Sequence, residues 1–268
     1  MTTTQPSPYR IVLEGIDGVG KSTVVRALRD GLEPERSVLP ETMAPVTLDL
    51  FRAYGRDVHG APQAYWSAVS RRTKTQVFLT EGVVRATYLA DAYGAYEVVL
   101  HDRWWQTFQA YSEPEDFDDR CAFLRDALPD VDLVLYLRGD VEACAACLVA
   151  DDDWLVREVG ADSIVAFLQR LQDRYDALFA DHPDTVVVDA GVGGPDAVAE
   201  AVLAEICRRL PASRGAAERP SVPTRFAHPD PRDVVAVLLQ DPVTNDREFF
   251  DYLRSRFPDH RQGPVAKL

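Results

Sequence analysis

The stretch Leu13-Glu14-Gly15-Ile16-Asp17-Gly18-Val19-Gly20-Lys21-Ser22-Thr23 decides how the rest of the chain is read. Gly15, Gly20, Lys21 and Ser22 stand at the spacing of a phosphate-binding loop, G-x-x-x-x-G-K-[ST]. Ile11, Val12 and Leu13 form a short apolar run suited to a buried parallel strand, and Val24, Val25, Leu28 and Leu32 recur at helical spacing. Where a strand gives way to a helix in this manner, successive backbone N–H groups and the helix N-terminus converge on one anion. Glycines at 15, 18 and 20 let the backbone approach phosphate and take positive φ without a Cβ clash. In this pattern Lys21 reaches the β- and γ-phosphates of a nucleoside triphosphate, the Ser22 hydroxyl ligates Mg²⁺, and Thr23 follows on the first helical turn. A plain glycine-rich turn is the bland alternative; the Lys-Ser pair and the flanking strand and helix weigh against it.

The 268 residues are enough for one large domain, or for a domain with an appendage. Hydrophobic content of 46% and charged content of 27% are those of an ordinary water-soluble chain. No apolar run approaches the roughly 20 residues that span a bilayer, and Met1 to Pro8 carries no hydrophobic export segment, so a cytoplasmic protein is expected. A net charge of −14 disfavours nucleic acid and anionic membranes as partners, since their phosphates would be repelled at long range. Among the four cysteines, Cys144 and Cys147 share a face of an alanine-rich helical stretch and read as small core residues. Cys121 and Cys207 complete no zinc ligand set.

Along the chain, Ser37 to Pro40 reads as a second strand and Val46 to Tyr54 as a helix. A loop over Gly55 to Pro62 and a long helical region from Gln63 to about Tyr93, interrupted by Gly82, follow. Glu97 to Asp102, Val131 to Leu137 and Val186 to Val188 supply three more strands. An acidic loop, Glu113 to Asp119, precedes a helix ending near Leu128, and helices through Val149, around Ile164 to Leu178, and over Pro195 to Leu210 complete the alternation. Apolar strand runs alternating with helices predict a five-stranded parallel sheet covered on both faces, with ligands at the carboxyl ends of the strands. Asp17, Asp102-Arg103 and Asp189 fall at those ends. Residues 1–210 thus form the main domain, the five prolines of 211–231 mark a linker, and 232–268 is a short extension expected to pack on that domain or on a second subunit.

Several of these segments resemble the thymidylate kinase family of P-loop nucleoside monophosphate kinases. The matching stretches are Glu14 to Thr23 with its Asp17, Asp102-Arg103-Trp104, Ala110-Tyr111, Pro129-Asp130 with the strand after it, Arg174-Tyr175, and Val188-Asp189-Ala190, spread over residues 10–208. The resemblance implies a P-loop three-layer α/β/α fold, a homodimer, and transfer of the ATP γ-phosphate to a nucleoside monophosphate. It implies that Asp102 assists Mg²⁺, that Arg103 contacts the acceptor phosphate, and that Asp17 binds the acceptor sugar. Asp189 lies on the ATP side and Tyr111 on the acceptor side, while a lid arginine, for which Arg157 is the local candidate, stabilises the transferring group. Phosphoryl transfer asks for this set: positioning, Mg²⁺ and positive charge around the equatorial oxygens.

The departures concern the acceptor. The family's basic motif after the second strand is Pro40-Glu41-Thr42-Met43-Ala44-Pro45 here, without a cation. Phe78 falls where the family stacks an aromatic on the base, although a helical Phe is more often core, and Tyr65, Trp66 and Tyr88 are rivals. The arginine expected one turn later falls on Gly82; Arg85 lies a turn beyond it, and Arg71, Arg72 and Lys74 come before. Arg157, alone in an acidic connector, reads equally well as a solvated side chain. The sequence thus predicts an ATP- and Mg²⁺-dependent kinase of dTMP or a related nucleotide with an altered acceptor site. Two alternatives stand beside it: a kinase of an unphosphorylated nucleoside or similar alcohol, with Glu41 as a positional candidate for the general base, and a non-catalytic ATP-binding regulator.

Overall fold

Tyr9–Glu14 (β1) is the central strand of a five-stranded sheet ordered β2-β3-β1-β4-β5 in this computed structural model, which describes residues 7–191, 194–212, 230–240 and 246–258. The other strands are Val38–Thr42 (β2), Val98–Asp102 (β3), Leu133–Arg138 (β4) and Thr185–Asp189 (β5), all paired in parallel. In register, Leu13 stands opposite Asp102 on one side and Leu135 on the other. This brings the end of β1 to within one residue of the end of β3, while β4 runs two residues further, to Arg138. Ile11, Val12, Leu13, Leu100, Leu133 and Leu135 are wholly buried, as both-sided packing of a parallel strand requires.

The helices among the described residues run, in chain order, α1 Lys21–Leu32, α2 Pro45–His59, α3 Tyr65–Ala68, α4 Arg71–Tyr88, α5 Ala90–Gly94, α6 Trp105–Tyr111, α7 Asp119–Asp126, α8 Val141–Ala150, α9 Trp154–Val159, α10 Ile164–Phe179, α11 Gly194–Arg209, α12 Pro231–Gln240 and α13 Arg247–Arg256. The protein is therefore α/β, with an all-parallel sheet. It divides into two compact units: one from the described residues of 1–42, 91–110 and 130–223, the other from those of 43–90, 111–129 and 224–268.

The first unit holds the whole sheet. Helix α1 turns Val24, Leu28 and Leu32 inward and packs beside α11, while α8, α9 and α10 pack on one another. Tyr136, Tyr175 and Phe179 form an aromatic cluster in which the Tyr136 hydroxyl donates to Asp176 at 2.8 Å.

The second unit is helical. Phe51 and Tyr54 of α2, Tyr65, Val77 and Val84 share one apolar cluster with Val234, Val235, Leu238, Phe249, Phe250 and Leu253. Residues 231–256 therefore do not stand apart as an appendage. They fold with 43–90 and 111–129, because α12 and α13 alone could not bury these side chains. Most of the proline-rich stretch read as a linker lies outside the described residues. Asp246 locks the arrangement: its carboxylate accepts from the Ser70 N–H at 3.1 Å, the Ser70 hydroxyl at 2.6 Å and the Thr73 hydroxyl, at the point where α4 begins.

Three sequence expectations are corrected here. Helix α2 runs through Gly55 to His59, where a loop was expected; the glycine is there because a Cβ would lie 2.7 Å from the carbonyls of Ala61 and Pro62. The long helical region from Gln63 breaks at Val69, where Ser70 caps α4 through the Thr73 N–H, and runs unbroken through Gly82. Cys147 is exposed rather than core, although Cys144 is buried. No helix among the described residues is long and apolar enough to cross a membrane.

Phe249 is buried against Phe51 and Tyr54, with ring centroids 4.9 and 5.3 Å apart. Truncation leaves a cavity, so Phe249→Ala is expected to lower unfolding stability by about 3–5 kcal/mol. Chemical denaturation measures it; a loss below about 0.5 kcal/mol would show that α13 contributes no core.

Candidate functional site

The glycine-rich loop joins the end of β1 to the start of α1, and its shape is set by what lies against it. Gly15 has φ of 144°, and a Cβ there would sit 2.5 Å from the Leu137 carbonyl oxygen. Gly18, at φ 81°, presses equally close to the Cys144 carbonyl, where a Cβ would be 2.6 Å away. Both contacts are with backbone, which cannot swing aside, so no larger residue fits. Gly20 takes φ of 93° as the N-cap of α1, and no side chain caps that helix. Its first amides are thereby left to an anion.

Lys21 is buried at the first position of α1, and its ammonium donates to the carbonyls of Gly15 at 2.8 Å and Ile16 at 2.7 Å. Burial lowers its pKa to about 8. Arg103 adds to the lowering, and the carboxylates of Asp17, Asp102 and Glu14 oppose it. Ser22 and Thr23 are exposed on the same turn. The Ser22 hydroxyl donates to the Asp102 carboxylate at 3.3 Å, so the hydroxyl and carboxylate expected to share Mg²⁺ stand side by side.

Arg103 follows β3 with its N–H bonded to the Leu13 carbonyl at 3.0 Å and a backbone φ of 73°, uncommon for a residue with a Cβ. Its guanidinium pairs with Asp17 and reaches the Thr107 hydroxyl at 3.4 Å. The two residues that the resemblance places on the acceptor thus hold each other. Beneath them lies Glu14, a fully buried carboxylate that the sequence reading passed over. It accepts from the Trp104 N–H at 2.7 Å and the Thr107 hydroxyl at 2.6 Å, and Thr107 in turn meets the Tyr175 hydroxyl at 2.9 Å. Burial raises the Glu14 pKa against those bonds and the nearby Arg103 and Lys21 charges. A charged residue closing an apolar strand was the available signal for it.

The remaining candidates divide. Asp189, at the end of β5, accepts the Gly191 N–H at 2.9 Å and lines a cleft in the first unit. Arg157 is 65% exposed on α9, and its hydrogen bonds go to Asp152 at 2.7–3.3 Å rather than to the loop. The structure gives it the solvated role that an acidic connector favours.

Phe78, Arg85 and Tyr111 belong to the second unit. Phe78 packs edge-on to Phe51 at 5.3 Å, at the margin of the apolar cluster, so its ring serves packing. Arg85 is buried beside Glu81, 3.8 Å away, while Glu81 accepts the Val46 N–H at 3.1 Å and the Thr47 N–H at 2.5 Å. This is a correction to Arg85 as an accessible acceptor-binding residue: a carboxylate buried at the start of α2 needs a cation beside it. Tyr111 meets Trp66 edge-on at 5.9 Å, and Lys74 lies over the Trp66 ring at 4.4 Å. No group of three or more metal-ligating side chains occurs among the described residues.

No protein-family model and no curated protein matches the chain.

The lowered Lys21 pKa sets a pH dependence for polyphosphate binding. A bound anion raises that pKa, so below about 8 the ammonium is charged both free and bound, and affinity is flat with respect to this group. Above about 8 the free protein must take up a proton to bind, so affinity falls by up to about tenfold per pH unit. Calorimetry at pH 7 and pH 9, in buffers of different ionisation enthalpy, measures the affinity and the proton uptake. Equal affinity at both, without uptake, would contradict it.

Proposed function

We propose that the chain is a P-loop phosphotransferase of three-layer α/β/α architecture that passes the γ-phosphoryl group of ATP, with Mg²⁺, to a nucleoside monophosphate such as dTMP. The observation that carries the reading is the juxtaposition at the end of β1. A loop closed to any side chain, the uncapped start of α1, the Lys21 ammonium and the Ser22–Asp102 pair all meet there. Lys21 exchanges its loop carbonyls for phosphate oxygens, and the amides of α1 take the charge its cap leaves unanswered. Ser22 and Asp102 suit Mg²⁺, which binds through one or two protein groups and completes its shell with water and substrate phosphates. When bound, the ion neutralises charge on the phosphate oxygens. Arg103, oriented by Asp17 and Thr107, supplies the positive charge on the acceptor side. The resemblance adds a homodimer and a small-molecule acceptor as the working partners.

A second reading, phosphorylation of a neutral alcohol such as a nucleoside, is favoured by one observation in the second unit. The cations along α4 are engaged: Arg71 with Glu113 at 2.7 Å, Arg72 with Asp118, Arg85 with Glu81, and Lys74 with the Trp66 carbonyl. At Gly82 a Cβ would lie 2.5 Å from Met43 Cε and 3.0 Å from Leu128 Cδ2, so the arginine that the family places there has no room. Such an acceptor needs a base for its proton. Glu41, buried in β2, remains the candidate for it.

An acceptor screen with MgATP, following ADP release over paired nucleosides and monophosphates, tests both readings. Faster turnover on monophosphates supports the first, faster turnover on nucleosides the second, and no turnover on any acceptor rejects both. Lys21→Ala is expected to lower turnover by roughly 10³-fold, the scale of a transition-state charge contact. Normal turnover in that variant would remove the loop from the mechanism.

A further inference from the structure

Helix α8 carries two of the four cysteines, Cys144 and Cys147, three residues apart and both free thiols. The phosphoryl transfer proposed above uses neither. Cys144 faces inward with Val141, Ala145 and Leu148, whereas Cys147 is exposed. Cβ atoms on a helix tilt toward its N-terminus, so Cys147 leans back over the turn that holds Cys144. The two thiols are near enough to feel each other: burial pushes the Cys144 pKa up to about 11, and Cys147 contributes to the rise.

Cys144 is also where α8 touches the glycine-rich loop. A Cβ at Gly18 would lie 2.6 Å from the Cys144 carbonyl oxygen and 3.2 Å from its Cα, so backbone meets backbone there. The sulfur nears the loop as well: a Cβ at Gly139 would lie 3.1 Å from Cys144 Sγ and 2.7 Å from the Val19 side chain. Asp140 fixes the turn before it. Its carbonyl accepts the Cys144 N–H at 3.0 Å, and its carboxylate accepts the Ala143 N–H at 2.8 Å. In packing this close, a shift of the Cys144 backbone is passed to Gly18 rather than absorbed.

We infer that Cys144 and Cys147 are a redox modification site, at which a peroxide joins them in a reversible disulfide and the bridge displaces the glycine-rich loop. Residues three apart on an α-helix have Cα atoms about 5 Å apart, inside the roughly 4.4–6.8 Å that a disulfide spans. Their Cβ atoms lie about 5–6 Å apart, against the roughly 3.5–4.5 Å the bond requires, so the turn must tighten by about 1 Å. A bridge under such strain is readily reduced, which suits a switch. The exposed Cys147 sulfur, as thiolate, attacks a peroxide oxygen: an S–O bond forms, the O–O bond breaks, and the departing hydroxide takes up the proton that Cys147 released. The Cys144 sulfur then displaces the hydroxyl of this sulfenic acid. An S–S bond forms, the S–O bond breaks, and the hydroxyl leaves with the Cys144 proton as water. Two thiols give up two electrons, and one peroxide becomes two waters. The consequence for nucleotide binding rests on the loop taking a nucleoside triphosphate.

The full chain, treated with hydrogen peroxide, alkylated and peptide-mapped by mass spectrometry, tests the bridge. The peptide holding Cys144 and Cys147 is expected to lose two hydrogens, to resist alkylation at both, and to regain both thiols with dithiothreitol. Both cysteines still open to alkylation, or Cys147 over-oxidised while Cys144 is alkylated, would overturn the inference. MgATP affinity of the same samples is expected to fall about tenfold on oxidation, within the roughly 10²-fold that a 1 Å misplacement costs a site, and to recover with dithiothreitol. Cys147→Ser, at an exposed position, is expected to bind MgATP as the reduced wild type does and to be indifferent to peroxide. A bridge that leaves affinity unchanged, or a loss that persists in Cys147→Ser, would overturn the coupling. Hydrogen exchange over residues 15–23 reads the loop without nucleotide and is expected to quicken only in the bridged protein. If the reduced protein binds no triphosphate, the nucleotide reading of the loop fails by itself, and exchange decides: quickened amides support the inference, and unchanged ones overturn it.

Discussion

At Gly15 the chain leaves β1 at a backbone angle that side chains resist, pressed against the Leu137 carbonyl at the end of β4, and the first unit is arranged around that close approach. Neighbouring backbone occupies the space a side chain would fill there. Leu13 is in register with Asp102, the last residue of β3, so the loop begins where β3 ends, and it presses on β4 at Leu137, one residue before that strand's last. The polar groups of the candidate site are gathered by sheet register rather than by nearness in sequence.

Gathering charge there carries an electrostatic cost that the surrounding bonds reduce. Glu14 is buried and held by an amide and a hydroxyl, Lys21 by two carbonyls, and Arg103 by Asp17. Burial and mutual repulsion pull the Lys21 ammonium toward neutrality while the three carboxylates pull it back. Such a balance is sensitive to any added anion. Arg157, by contrast, is exposed and bonded to Asp152.

The second unit solves a different problem. Its helices expose apolar faces too narrow to stand alone, and α12 and α13 supply the missing side of the cluster around Phe51 and Tyr54. Asp246 then caps α4 through Ser70 and Thr73, tying a helix early in the chain to one near its end. Glu81 does the same for α2 and draws Arg85 inside with it. These long-range caps leave the paired cations of α4 as structural members, and they are the physical ground for doubting a phosphate-gripping role there.

How much was legible follows from the range of each interaction. The strand runs at Ile11–Leu13, Val98–Leu100 and Leu133–Leu137 and the loop spacing could be read from residue order, because hydrophobic period and glycine spacing act over a few residues; a place for Asp102 beside the loop came only from the family resemblance. The start of α4 was missed because Ser70 is one polar residue in a helical-looking stretch, and its cap is completed by Asp246, far away in sequence. Gly55 and Gly82 looked like breakers; each is instead a point of contact with Ala61 and Pro62, or with Met43 and Leu128. The spacing could propose Phe78 and Arg85 for recognition, but only packing decided that one ring meets Phe51 and that the guanidinium meets Glu81. By itself the sequence determined the alternation of strands and helices and the loop that ends β1, since these depend on local pattern. The tertiary structure decided which charges are buried and which are already paired, because burial and pairing depend on neighbours brought from elsewhere in the chain.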